Sequence, residues 1–218
     1  MSQSPYVIAI DGPAASGKSS VSRLLAGKLG CRYVNSGVFY RAVTWAVIQA
    51  GLPLGDECAI TGFLANLDIQ CRLEDGNTVL LINHSDPGDH LRDPLVNENV
   101  SRVSSYPEVR RVLTGLLRSL AGAGSLVMEG RDIGSVVFPG TPHKFYIDAS
   151  EEVRASRRAA QGEADSIVQR DAQDSSRKTA PLVIPPDAVV VDSSALSLSD
   201  VVGEILAKLD AQGITVAH

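Results

Sequence analysis

A loop of glycine and other small residues near the start of the chain has the pattern that grips phosphate groups. It reads Gly12-Pro13-Ala14-Ala15-Ser16-Gly17-Lys18-Ser19, which fits G-x-x-x-x-G-K-[ST]. Small residues let backbone N–H groups converge on phosphate oxygens, and a following helix N-terminus adds a partial positive charge. We expect Lys18 to reach the β- and γ-phosphates and either Ser19 or Ser20 to hold Mg²⁺. The motif therefore predicts binding of a nucleoside triphosphate.

The elements on either side of this loop match the context that the motif requires. Residues 6–10 form an apolar run, which is typical of a strand buried on both faces of a parallel sheet. After the loop, Val21, Leu25 and Leu29 recur at helical spacing. Gly30 stands where many helices end in a left-handed residue. The predicted order is strand, loop, helix.

Three further apolar runs extend this pattern along the chain. They cover residues 126–128, 145–147 and 189–191, and each has a helical pattern beside it. The alternation predicts an α/β fold of the P-loop NTPase type, a parallel sheet with helices on both faces. Residues 201–209 form the apolar stripe of its last helix.

Two stretches differ from this framework. Between residues 67 and 94, alternating apolar residues flank the turn Asp75-Gly76, which predicts a hairpin in an inserted lobe. Residues 161–178 are polar and charged, and we predict an irregular linker or lid there. The predicted organisation is a single P-loop domain with a core at about 1–60 and 105–218, an inserted lobe at about 61–104 and a short lid at about 159–180.

Composition restricts the ligands. The chain has 218 residues and a net charge of −5, which argues against nucleic acid or a membrane surface as partner, because such binders carry excess Lys and Arg. Its three cysteines form no CxxC pair, which favours a reducing compartment. No apolar stretch approaches the roughly 18 residues of a membrane span. We expect a cytoplasmic monomer that acts on small molecules.

Other charged motifs have both a functional and an ordinary interpretation. Glu129-Gly130-Arg131-Asp132 follows an apolar run, so these charges lie at the carboxyl end of a strand, where α/β sheets bind ligands. Ser36, as a helix N-cap, and Arg41 one turn later predict an anion site. The alternatives are a charged surface loop and a plain cap beside a solvated arginine. No N/T-K-x-D motif for guanine recognition is present.

Arginines cluster on one predicted helix. Arg154 and Arg158 are four positions apart, and like charges at that spacing repel by a few tenths of a kcal/mol. A bound polyphosphate would relieve this repulsion, with Arg157 between them also facing the ligand. A solvated charged face is the alternative.

Taken together, the motifs resemble the bacterial cytidylate kinase family over nearly the whole chain. The matching residues are Asp11-Gly12-Pro13 with the loop, Ser36-Gly37, Tyr40-Arg41, Gly130-Arg131-Asp132-Ile133-Gly134, Arg170-Asp171, Asp174, Arg177 and Ala180-Pro181-Leu182. The resemblance implies transfer of the γ-phosphoryl group of ATP, with Mg²⁺, to CMP or dCMP. Two features depart from the pattern, namely Ser19-Ser20 where many members have Gly-Thr and a lid shorter than in some relatives.

The resemblance also implies roles for individual residues. Those placed at the phosphate of CMP are Arg41 and Arg131, with Ser36 nearby and Arg177 closing from the lid side, and Tyr40 is a further CMP contact. Those that contact its sugar are Arg170 and Asp174, and those that read cytosine are Ser101, Arg110 and Asp132. Those that stabilise the transferring phosphoryl group are Lys18, Arg131, Arg158, Arg170 and Arg177, while Arg157 contacts ATP.

An acidic residue suits a cytosine pocket. Cytosine offers an exocyclic amino donor where uracil offers a carbonyl acceptor, so a carboxylate at Asp132 would attract the first and repel the second. Local sequence alone would place Ser101 and Arg110 on the surface. A kinase for another small acceptor, such as UMP, AMP or shikimate, and a non-catalytic nucleotide-binding module remain as alternative functions.

Overall fold

The computed structural model describes residues 4–74, 77–160 and 167–215, apart from the side chains at positions 73, 74, 77 and 167–170. The strands are β1 Val7–Asp11, β2 Arg32–Asn35, β3 Ile69–Glu74, β4 Asn77–Ile82, β5 Leu126–Glu129, β6 His143–Asp148 and β7 Val189–Asp192. The helices are α1 Lys18–Leu29, α2 Ser36–Gln49, α3 Glu57–Leu64, α4 Pro94–Val103, α5 Pro107–Ser119, α6 Glu151–Ala160, α7 Ile167–Ser175 and α8 Leu198–Asp210. The chain forms two compact units, Met1–Val34 with Arg118–His218, and Asn35–Leu117.

The first unit is built on a five-stranded sheet of order β2-β5-β1-β6-β7. Strand β1 pairs in parallel with β5 and with β6, and β6 pairs in parallel with β7. This arrangement confirms the predicted parallel sheet with its helices. Because Ile10 is in register with Glu129, β1 and β5 end side by side. The loops that follow these two strands therefore begin at the same edge of the sheet.

The core of this unit explains the unbroken apolar runs of its strands. Ile8 and Ile10 are fully buried and belong to one hydrophobic cluster with residues of α1 and α8. On the other face, a short helical turn at Ile133–Val137 packs against β1. Both faces are covered, so successive positions along the strands are apolar, as expected for a parallel sheet with two buried faces.

The second unit contains the predicted hairpin. Strands β3 and β4 pair antiparallel, with Ile69 opposite Ile82, which confirms the hairpin prediction. Helix α2 packs against β4 and α4, and its Phe39 and Val43 are fully buried. Burying such side chains stabilises the unit by about 1.5–3 kcal/mol each. The N-cap of α2 is Asn35, whose side chain accepts from Gly37 N at 2.9 Å, so the prediction of a cap at residue 36 was wrong by one position.

One segment is more regular than predicted. The sequence favoured an irregular stretch at residues 161–178 because it has few apolar residues, whereas the structure has helix α7 at Ile167–Ser175. Two carboxylates of α7, Asp171 and Asp174, pair with arginines, so the helix is anchored by charge rather than by an apolar stripe. Over the described ranges, no helix combines the length and hydropathy needed to cross a membrane.

Candidate functional site

The phosphate loop connects β1 to α1, and its glycines are required by the backbone. Gly12 has φ +149°, and a Cβ atom there would lie 2.1 Å from the carbonyl oxygen of Ile147. Gly17 has φ +91° in the left-handed region and caps α1. A side chain at either position would strain the loop. The loop therefore holds its backbone in the compact form that lets N–H groups converge on an anion.

Lys18 is the first residue of α1 and is buried, with 5% of its surface exposed. Its Nζ donates to the carbonyl oxygen of Pro13 at 2.5 Å. Burial, together with the nearby charge of Arg131, lowers the pKa of Lys18 from 10.5 to about 7, while Glu129 and other carboxylates oppose the change. The negative charge of a bound polyphosphate would favour the protonated form of this amine.

Asp11, at the end of β1, ties the two adjacent loops together. Its carboxylate accepts from the backbone N–H groups of Ile133 at 2.8 Å and Gly134 at 2.7 Å. Burial raises its pKa to about 6, although both N–H groups act in the opposite direction. The contacts fix the start of the helical turn directly after Arg131 and Asp132. Asp132 itself is buried, with 3% exposed.

Ser19 lies beside a buried carboxylate, and this pair suits a magnesium ion. The Ser19 hydroxyl donates to Glu129 Oε2 at 2.9 Å, and Tyr33 donates its hydroxyl to Oε1 of the same residue. Ser20 is exposed. Mg²⁺ prefers oxygen ligands and commonly takes one or two from protein with the rest from phosphates and water. The described residues contain no cluster of three or more acidic, His or Cys ligands.

A carboxylate on α7 orders two of the predicted phosphate-binding arginines. Arg131 donates from Nε to Asp174 Oδ2 at 2.9 Å and from Nη1 to the Gly12 carbonyl at 3.1 Å. Arg177 donates from Nη2 to the other oxygen of Asp174. Arg131, Arg177 and Asp174 are therefore neighbours beside the phosphate loop. Arg170 lies one turn earlier on α7, and its side chain falls outside the described residues.

Two arginines of α6 also contact the loop region. Arg157 donates to the carbonyl of Ser193 at 2.8 Å and to its hydroxyl at 3.0 Å, and that hydroxyl donates to the Ser16 carbonyl at 2.9 Å. Arg154 pairs with Asp171. The expected repulsion between Arg154 and Arg158 is thus offset by a carboxylate of the chain itself. Arg158 is half-buried on the same helix.

In the second unit, two residues predicted to read cytosine are buried, which contradicts the surface interpretation. Ser101 on α4 is 8% exposed and Arg110 on α5 is 3% exposed. Arg110 donates to the Ser104 carbonyl at 3.0 Å and lies over the ring of Tyr40, with 5.3 Å from Cζ to the ring centroid. The Ser104 hydroxyl donates to the Ser101 carbonyl at 3.1 Å. These contacts link Tyr40, Arg110 and Ser101 in one polar cluster.

Arg41 is held one turn along α2. Its Nη1 donates to the Leu91 carbonyl at 2.9 Å and to Asn97 Oδ1 at 2.5 Å. Ser36, the first residue of that helix, is 3% exposed. Arg41 is therefore not a freely solvated side chain, and the amide of Asn97 orients it.

Four residues that contact the predicted site were given no role in it from the sequence. Asp11, Glu129 and Asp171 stand in the quoted motifs, whereas Ser193 was missed. Glu129 carried a positional signal, because it ends an apolar run directly before Arg131. The roles of the other three follow only from tertiary contacts, since each acts on a residue more than 100 positions away.

Comparison with known proteins places the chain in a family. The model of the family described as cytidylate kinase matches residues 8–211. A cytidylate kinase of Bdellovibrio bacteriovorus is 43% identical over 207 residues, covering 92% of this chain and 95% of its own. One from Rhodococcus opacus is 40% identical over 218 residues, covering 94% and 95%.

Solved structures agree on the fold. A gluconokinase from Sinorhizobium meliloti aligns with a TM-score of 0.52 at 17% identity, over 97% of this chain and 95% of its own. At such identity the likeness shows the α/β architecture alone. The match of sequence over nearly the full length, on a chain whose phosphate loop surrounds a buried lysine, shows that this protein belongs to the cytidylate kinase family.

Proposed function

We propose that this protein transfers the γ-phosphoryl group of ATP to CMP or dCMP, giving ADP and CDP or dCDP. The observation that supports it most directly is the buried amine of Lys18, enclosed by a phosphate loop whose neighbours Arg131 and Arg177 are held by one carboxylate. Family membership gives the acceptor.

Phosphoryl transfer requires alignment and charge stabilisation more than covalent chemistry by the protein. The loop amides and Lys18 bind the triphosphate, and Lys18, Arg131 and Arg177 stabilise the negative charge that spreads over the moving group. Arg158 and Arg170 are proposed to assist, and Arg157 to contact ATP. Because Asp174 holds two arginines in place, little reorganisation is needed when the charge develops.

Mg²⁺ would neutralise charge on the β- and γ-phosphates when it is bound. We propose Ser19 rather than Ser20 as the hydroxyl that holds it, because Ser19 alone contacts the buried carboxylate of Glu129. Glu129 would orient this hydroxyl and accept from water on the metal.

Residues of each unit are proposed to contact the acceptor. In the first unit, buried Asp132 offers a carboxylate for cytosine. In the second unit, the buried side chains of Ser101 and Arg110 are the other proposed cytosine contacts, and Arg41, Ser36 and Tyr40 are proposed to contact CMP at or near its phosphate. Arg170 and Asp174 are the proposed sugar contacts. The proposed ligands are thus ATP, Mg²⁺ and CMP or dCMP. We propose that the protein binds them as a cytoplasmic monomer.

A screen of acceptors tests the proposal. Release of ADP from Mg-ATP is followed in a coupled assay with CMP, dCMP, UMP, AMP and shikimate, each compared with no acceptor. We expect CMP or dCMP to raise the rate strongly and the others far less. Equal stimulation by UMP or AMP, or turnover of shikimate, would assign a different acceptor, and ATP binding without any turnover would indicate a non-catalytic module.

A further inference from the structure

A carboxylate of the chain accepts a hydrogen bond from one backbone N–H group of the phosphate loop. Asp171 Oδ1, on α7, accepts from the backbone N of Ala14 at 2.9 Å. Ala14 lies inside the motif, between Gly12 and Gly17, where backbone N–H groups are arranged for phosphate oxygens. A carboxylate oxygen and a phosphate oxygen are both anionic acceptors, so each can satisfy this donor.

The second oxygen of the same carboxylate is also bound. Asp171 Oδ2 accepts from Arg154 Nη1, and that nitrogen also donates to the Ala14 carbonyl at 3.2 Å. Arg154 is further fixed by a bond from Nε to the Ala149 carbonyl at 3.0 Å. The side chains of Arg154 and Asp171 are only 13% and 16% exposed, so solvent screens their charges weakly. The loop, α6 and α7 thus meet at one ion pair.

We propose that Asp171 is an internal anion that occupies the Ala14 amide in the nucleotide-free protein and is displaced when a triphosphate enters the loop. This proposal rests on the proposed binding of ATP. A triphosphate in the loop brings several negative charges close to Asp171, and like charges at short range in a weakly screened site repel. Displacement frees both the Ala14 N–H and the guanidinium of Arg154, which are then available to the nucleotide.

The proposal has a thermodynamic consequence of definite sign. Because the protein must give up the Asp171 contacts before the loop binds ATP fully, the apparent affinity is lower than that of a loop with no competitor. A carboxylate that merely supports the loop would have the opposite effect, since its removal would disorder the loop and weaken ATP binding. The sign of the change in Kd separates the two.

Titration calorimetry with Mg-ATP, and with tripolyphosphate to remove the contribution of the base, measures this sign. Asp171→Asn keeps the size of the side chain and removes its charge. We expect it to bind both ligands about tenfold more tightly than the wild type. The reason is that the ligand no longer has to displace one charge-assisted hydrogen bond. Asp210→Asn, at the exposed end of α8, removes one charge elsewhere and should leave both affinities nearly unchanged.

Equal or weaker binding by the folded Asp171→Asn variant overturns the proposal, and so does an equal gain in Asp210→Asn. Circular dichroism verifies folding. Independently of any variant, a crystal structure of the wild type with a non-hydrolysable ATP analogue should show Asp171 beyond hydrogen-bonding distance of Ala14 N, and an intact contact there also overturns the proposal. Failure of the wild type to bind Mg-ATP contradicts the proposed function instead.

Discussion

Asp174 accepts a hydrogen bond from Nε of Arg131 at 2.9 Å although the two residues lie 43 positions apart. The carboxylate is 4% exposed in its side chain and also pairs with Arg177. Two guanidinium groups, which as free side chains would each sample many rotamers, are thereby fixed before any ligand arrives. The pair links the loop after β5 to α7 and orders the proposed phosphate-binding arginines in advance.

Removing this carboxylate should affect both stability and catalysis. Asp174→Ala leaves two partly buried guanidinium groups without their counter-charge, so we expect a loss of about 3 kcal/mol in the free energy of unfolding. The arginines lose their fixed orientation, and kcat/KM for CMP should fall by about 100-fold. Urea unfolding and steady-state kinetics measure the two effects.

An exposed ion pair provides the matched control. Glu108 pairs with Arg111 on the surface of α5, at side-chain exposures of 30% and 72%. Glu108→Ala also removes one carboxylate from an arginine, and exposed pairs contribute little. We expect its unfolding midpoint and kinetics to stay close to the wild type. If Asp174→Ala behaves in the same way, the proposed ordering of Arg131 and Arg177 is wrong.

Lys18 should be indispensable for turnover. Its amine is the charge at the N-terminus of α1 inside the loop, so Lys18→Ala removes a group that stabilises the transferring phosphoryl group. We expect kcat to fall by about 10²–10³-fold, the range seen when one such stabilising group is lost. The variant must remain folded by circular dichroism, and near wild-type turnover by folded material would contradict the mechanism.

ATP binding should take up a proton near pH 8. In the free protein burial holds the pKa of Lys18 at about 7, below the unfolded value of 10.5, so the amine is mostly neutral at pH 8. A depressed pKa also means that the free protein gains stability as pH rises from about 7 to 10.5 and loses that contribution as pH falls over the same range, with no further change below about 7. Bound phosphates favour the charged form and reverse the depression.

Calorimetry in buffers of different ionisation enthalpy measures this uptake. At pH 8 the apparent binding enthalpy should vary with the buffer in proportion to nearly one proton taken up per ATP bound. Lys18→Arg keeps a permanently protonated group at this position, so its binding enthalpy should be independent of the buffer. Wild-type enthalpies that do not depend on the buffer would show that Lys18 is already charged in the free protein.

Asp132 should set the choice of base. Its carboxylate is buried, and in the proposed pocket it pairs with the amino group of cytosine and repels the carbonyl of uracil. Sites of this kind discriminate by up to about 10⁴-fold, because the wrong base leaves buried polar groups unpaired. Asp132→Ala should lower the ratio of kcat/KM for CMP over UMP by at least tenfold while the Kd for ATP is maintained. An unchanged ratio removes Asp132 from base reading.

The sequence predicted the elements whose signals are local. The phosphate loop, the parallel strands and the hairpin at Ile69–Ile82 each follow from spacing or composition within about ten residues, and the structure confirms them. The resemblance supplied the family, which the comparisons confirm. The roles of Arg41, Arg131 and the other site residues stay predictions, as do the lobe and lid boundaries.

What the sequence did not reveal depends on contacts between distant segments. Helix α7 lacks an apolar stripe, so its order depends on Asp171 and Asp174 meeting Arg154 and Arg131. Asp171 reaches Ala14 across 157 positions, and no local pattern indicates such a contact. The predicted cap of α2 was wrong by one residue because Asn35 and Ser36 are both good capping residues. Only the backbone angles distinguish between them.

Gly12 should tolerate no side chain, and α1 offers a glycine for comparison. A Cβ at residue 12 would approach the Ile147 carbonyl oxygen to 2.1 Å at a backbone φ of +149°, so Gly12→Ala must displace β6 or the loop. We expect a loss of about 2–4 kcal/mol in unfolding free energy and greatly weakened ATP binding. Gly27, in the last turn of α1, has no atom within 4 Å of a built Cβ. Gly27→Ala should therefore stabilise the protein by about 0.5–1 kcal/mol through helix propensity, with ATP binding unchanged. Urea unfolding with and without ATP compares the two variants. If Gly12→Ala were as stable as the wild type, the loop would have room for a side chain at residue 12, and the predicted clash with the Ile147 carbonyl oxygen would be wrong.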